Sequence, residues 1–173
     1  MNSARTLGGE AGPAVGQSDR LRVVVDTNAV LDLWAFGDSR VQGLRAALQE
    51  QQLDWVGTMA MRQELETVLT RGVGARYGAH PAQVLALWDG HVRVVDLPRG
   101  VPTDHRLRCR DPDDQKFLDL GLTLCAQWLL TSDRDLLKLS RRAATLGLRV
   151  ASPHGWVPEG DPPSTGDGQA AWR

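Results

Sequence analysis

The sequence predicts an α/β fold, a three-layer α/β/α sandwich with a parallel sheet between two layers of helices. Two observations carry this. Short apolar runs rich in β-branched residues alternate with segments of helical periodicity in the order βαβαβαβαβ. Acids also follow two of those runs directly, at strand carboxyl ends, where open α/β sheets place their sites.

Taken in order, Leu21–Val25 (LRVVV) reads as the first strand, and the chain turns to a helical pattern just after Asp26, Thr27 and Asn28. A helix is expected around Val41–Gln51, a short strand at Leu53–Val56 and a helix at Met59–Leu69. The loop RGVGARYGAHP leads to a helix at Ala82–Trp88, and HVRVVDL, residues 91–97, reads as the third strand. After a loop rich in proline and arginine come a helix from Pro112 to about Cys125 and a strand at Gln127–Leu130. A helix from Asp133 and a strand at Leu148–Ala151 complete the pattern.

Both ends lack apolar periodicity. Residues 1–19 are Gly, Ala, Ser and polar residues, and residues 157–173 are rich in Pro, Gly and Asp. Neither can offset its ordering entropy by burial, so disordered tails are expected around one domain at residues 20–156. No secretory pattern opens the chain, and no apolar run approaches the roughly 18 residues of a membrane span. Cys109 and Cys125 are too few for a disulfide scaffold and too isolated for a zinc cluster. A cytoplasmic protein is the expectation. The net charge of −1 gives no global attraction to nucleic acid, but only Lys116 and Lys138 among 20 basic residues are lysines. Arginine suits bidentate phosphate contacts.

The acids separate by helix geometry. In CRDPDDQKFLDLGL, Asp111 with Pro112 reads as a cap with proline in the first helical position, and Asp113 as an acid in the first turn. At about 100° per residue, Asp114 shares the apolar face with Leu118, Gly121 and Cys125, whereas Asp119 points to solvent. A carboxylate on a core face is costly unless paired. In MAMRQELETVL the apolar face is Met61, Leu65 and Val68; Glu64 borders it and Glu66 lies opposite. In LLTSDRDLLKL, Asp133 follows a strand and also fits a helix cap, with Asp135 two residues on.

Asp26, Glu64, Asp114 and Asp133, with Asp135 as an outer member, thus come from separate elements toward one crevice. Converging carboxylates need a counter-charge to stay ionised. The sequence pattern places no lysine or histidine beside them, so a hard divalent cation, Mg²⁺ or Mn²⁺, is expected. Such a site can activate water for phosphodiester cleavage.

VVVDTNAVL, RQELETVL, RDPDDQKFLDLGL and LLTSDRDLL, in that order, resemble the PIN-domain nucleases. More narrowly, they resemble the VapC-like branch, the toxin components of bacterial toxin–antitoxin systems. The resemblance covers almost all of residues 21–151. It implies a five-stranded parallel sheet and a metal-dependent endoribonuclease whose catalytic acids are Asp26, Glu64, Asp114 and Asp133. Asp26, Asp114 and Asp133 would hold one or two Mg²⁺ ions, and Glu64 would bind a second ion or orient the attacking water. Asn28 and Thr131 would orient the carboxylates, with Asp135 secondary. A small antitoxin protein and a homodimer are the implied partners. Gly121 departs from the pattern, which has Ala there.

An RNA substrate needs cations near the acids. His105, Arg106, Arg108 and Arg110 precede Asp114, and Arg71 and Arg76 lie in another loop. Two alternatives stay within the fold: an RNA-processing nuclease without antitoxin, and a non-catalytic RNA- or protein-binding domain. An aspartate phosphatase would want an acid where Asn28 stands. A receiver domain would want an acid pair after the first strand and a lysine after the last.

Overall fold

The computed structural model describes residues 20–97 and 107–158. His105, Arg106 and all but the first two residues of the expected C-terminal tail lie outside that range, as does the whole N-terminal tail.

Five strands form one all-parallel sheet: β1 (Leu21–Val25), β2 (Leu53–Gly57), β3 (Arg93–Val94), β4 (Trp128–Leu130) and β5 (Arg149–Ala151), in spatial order β3-β2-β1-β4-β5. From β1 the chain builds outward through β2 and β3, then crosses back to place β4 on the other side. β1 and β4 are therefore neighbours whose outgoing connections diverge, the position at which a parallel sheet opens a crevice.

Strand alternation divides the core in two. Val23, Val25, Trp55, Trp128 and Leu130 face one layer; Val24, Val56, Leu129 and Val150 face the other. The first layer holds α1 (Thr27–Val30), which runs on into a π-helical turn at Leu31–Ala35, with α2 (Gln42–Gln49), α3 (Met59–Thr70) and α4 (Pro81–His91). The second holds α5 (Gln115–Thr123), α6 (Arg134–Leu137) and α7 (Ser140–Ala144), through Phe117, Leu118, Leu120, Leu136 and Ala143. The three-layer sandwich expected from the sequence is the observed one.

Several boundaries differ from expectation. β3 is only two residues long and both are exposed, an edge strand without the burial that would extend it. α5 begins at Gln115, not Pro112, because Asp111 Oδ1 accepts the Asp113 N–H at 2.9 Å and the Asp114 N–H reaches the Asp111 carbonyl at 3.3 Å. That Asx-type turn uses Asp111 before any helix starts. Cys125, expected on the buried stripe, follows the end of α5 at φ +50° and is exposed. The segment after Asp133 is two short helices rather than one. Past β5 the chain folds back over α2: Trp156 is buried against Trp128, and a Cβ on Gly43 would meet the Trp156 carbonyl oxygen at 1.8 Å. No helix among the described residues is long and apolar enough to cross a membrane.

Candidate active site

The ladder between β1 and β4 pairs Val25 with Leu130, so the next residues, Asp26 and Thr131, emerge side by side at the carboxyl edge. Asp26 is extended, and its own N–H still reaches the Leu130 carbonyl at 2.9 Å. Its Oδ1 accepts the Ala29 N–H at 2.7 Å, capping α1, and its Oδ2 accepts the Thr131 hydroxyl. Thr131 is fully buried and its Oγ1 accepts the Asp133 N–H at 2.9 Å. Asp133 Oδ1 in turn accepts the N–H groups of Asp135 and Leu136, capping α6. Two strand-end acids are thus joined through one hydroxyl.

Asp26 is only 2 % exposed. Burial pushes its pKa from the ordinary 3.8 up to about 7; the Thr131 and Ala29 hydrogen bonds oppose this, and the charges of Asp114 and Asp133 add to it. Asp114, at the head of α5, makes no capping bond to its helix. Its pKa rises to about 6, first through burial, then through Asp133 and Asp111, with Lys116 acting against. The charge of Asp133 acts on both Asp26 and Asp114.

Glu64, from α3, also raises Asp114, so it stands at the same site. Here a sequence expectation is corrected. A lysine does accompany the acids: Lys116 Nζ forms an ion pair with Glu64. It also donates to the Asp113 carbonyl at 2.6 Å and lies 4.9 Å from the Phe117 ring centroid. Lys116 sits two residues beyond Asp114, and only the relative placement of α3 and α5 reveals its partner.

Asp135 turns to Lys138 at 2.5 Å, and that ion pair holds its carboxyl below the ordinary value. Asn28 is exposed and has no hydrogen bond to the carboxylates among the described residues. Asp119, expected in solvent, is half-buried and accepts Gln115 Nε2 at 2.9 Å. Arg108 and Arg110 flank Cys109, whose thiol is pushed up by burial and by the charges of Asp114 and Asp133. Arg110 also lowers Asp135. Arg71 lies at the far end of α3, roughly 10 Å along the axis from Glu64, and Arg76 stacks over Tyr77 at 4.8 Å.

A neighbouring cluster escaped the sequence reading. Asp32, Asp38 and His154 bring ligand atoms within 4.8 Å of one another, which Asp26, Asp114 and Asp133 do not do among the described residues. Ser132, beside Asp133, donates to Asp32 at 2.7 Å. Arg40 pairs with Asp38 at 2.6 Å and holds its pKa down to about 2. His154 Nε2 lies 3.3 Å from Asp32 and 3.6 Å from Asp38. This cluster carries its own cations, Arg40 and, when protonated, His154. The only sequence signal was Asp32 on the helix after Asp26, and its partners are remote.

Set against known proteins, a family model described as a PIN domain matches residues 22–135, a span that runs from β1 into α6 and includes all four acids. No curated protein matches the chain.

Proposed function

The chain belongs to the PIN-domain family, a family of nucleases, and on that premise we propose that it is a Mg²⁺- or Mn²⁺-dependent endoribonuclease, the toxin of a bacterial toxin–antitoxin pair. The observation that carries the nuclease reading is the pair of raised carboxyls, Asp26 at about 7 and Asp114 at about 6, each pushed up by burial and by Asp133 at the β1–β4 crevice. Clustered aspartate oxygens whose charges oppose one another suit a hard cation that accepts oxygen ligands. Each carboxylate oxygen has two acceptor positions, so the bonds from Ala29 and Thr131 do not exhaust Asp26.

Asp26, Asp114 and Asp133 would hold the ion. When bound, a divalent ion lowers the pKa of water and offsets the charge that builds on a phosphodiester during hydrolysis. The chain supplies orientation: Thr131 fixes Asp26 relative to the Asp133 backbone, and the helix caps fix both carboxylates. Arg108 and Arg110 supply positive charge where an RNA phosphate would enter.

The toxin assignment rests on the order and wording of the four motifs, as do the antitoxin and homodimer.

The direct experiment incubates purified protein with single-stranded RNA, with Mg²⁺ or Mn²⁺ and then with chelator. Cleavage should require the metal and be lost in Asp26→Asn and Asp114→Asn. Unchanged cleavage by Asp26→Asn would remove the assignment. Regulated expression in bacteria tests the toxin part: wild type should arrest growth and Asp26→Asn should not. Harmless wild type that still cuts RNA would favour an RNA-processing enzyme.

A further inference from the structure

Lys116 is one of two lysines in a chain whose other basic residues are all arginine, and it stands inside the acidic site. Its ammonium is fixed from three sides: by the Glu64 carboxylate from α3, by the Asp113 carbonyl at 2.6 Å, and by the ring of Phe117 at 4.9 Å. Phe117 is itself 1 % exposed, packed in the core beneath α5. Two of these contacts come from its own segment.

An ammonium is a compact point charge with three donors, suited to stand where a second cation would otherwise neutralise Glu64. We propose that Lys116 fills that role, so that Glu64 is engaged by lysine rather than metal and the site takes a single divalent ion, onto which the carboxylates of Asp26, Asp114 and Asp133 would close from their present wider spacing. This deepens the nuclease reading and rests on it. Glu64 and Lys116 then act as positioning residues that set the charge beside the ion.

The test is calorimetric titration of the full-length, metal-free protein with Mn²⁺, with free Mn²⁺ followed in parallel by electron paramagnetic resonance. Ions assigned to this site are those lost in Asp114→Asn, which separates them from any bound at Asp32, Asp38 and His154. Wild type should bind a single such ion, and Glu64→Gln should keep the count at one, with affinity weakened by no more than about tenfold because a negative charge is removed beside the ion. Lys116→Met should bind Mn²⁺ about tenfold more tightly or admit a second ion, because a positive charge is removed beside the acids. Lys116→Arg, which keeps the charge, should behave as wild type, and circular dichroism melts confirm that each variant is folded.

Two ions in wild type falling to one in Glu64→Gln would overturn the proposal while leaving the metal nuclease intact. So would a Lys116→Met protein with unchanged Mn²⁺ affinity and count. If wild type bound no Mn²⁺, or bound it equally with Asp26→Asn and Asp114→Asn, the metal reading itself would fall and Lys116 with it.

Discussion

Thr131 donates its hydroxyl hydrogen to Asp26 across the β1–β4 seam, joining residues 105 positions apart in the chain. Because the same oxygen accepts the Asp133 N–H, one buried hydroxyl sets the spacing of two acids. Thr131→Val keeps the shape and removes both bonds, leaving a buried carboxylate and a backbone N–H short of partners. Loss of about 2 kcal/mol in chemical denaturation is expected, together with loss of metal-dependent cleavage. Thr131→Ser should retain most of both. Equal stability of the valine and serine variants would show that the link contributes nothing.

Asp26 makes stability depend on pH in an unusual direction for a carboxylate. Folded, it binds a proton with a pKa of about 7, against the ordinary 3.8. Between those values the folded chain holds more protons than the unfolded one, so stability falls as pH rises through the window. Metal-free protein should lose on the order of 3 kcal/mol between pH 4 and pH 8 from this group alone. Asp26→Asn imitates the protonated acid and should flatten that loss. Denaturation midpoints at pH 5 and pH 8, with and without Mg²⁺, check it: a bound cation should restore stability at pH 8 in wild type and not in Asp26→Asn.

Much of this architecture could be read from residues alone, and the reason is periodic. LRVVV and WLLTS announce buried strands, and helical spacing separated Glu64 from the more exposed Glu66. What stayed hidden depends on how distant elements dock. Lys116 is a lysine in a charged turn until α3 lays Glu64 against it. Asp32, Asp38 and His154 meet only because the chain after β5 folds back across α2. Pro112 looked like a helix start, but the local Asx-type turn at Asp111 wins over that signal.

Arg110 lies within electrostatic reach of Asp135, and Arg108 precedes it by two residues, whereas Arg71 and Arg76 lie toward the other end of α3 and beyond it. RNA binding should divide accordingly. With Asp26→Asn as background so that RNA survives, Arg108→Ala with Arg110→Ala should weaken binding about tenfold. The slope of log affinity on log salt should fall by about 1.4, the release expected for two single-strand phosphate contacts. Arg71→Ala with Arg76→Ala should leave both nearly unchanged. Equal effects of the two pairs would mean that RNA does not follow the loop before α5.

Gly121 lies on the buried face of α5, and the fold explains the small residue. A Cβ there would lie 3.0 and 3.1 Å from the two terminal methyls of Leu148, which is 1 % exposed. Alanine gains about 1 kcal/mol of helix propensity over glycine, but crowding a packed core costs about 1–3 kcal/mol. Gly121→Ala should therefore be destabilising by about 1 kcal/mol in denaturant. It should also blunt cleavage, because α5 carries Asp114 at its head and an outward shift of the helix moves that acid. Shortening the neighbour tests the cause: Leu148→Val added to Gly121→Ala should recover stability relative to Gly121→Ala alone. If the double variant is instead less stable by the sum of the two single losses, the contact between Gly121 and Leu148 is not what selects glycine.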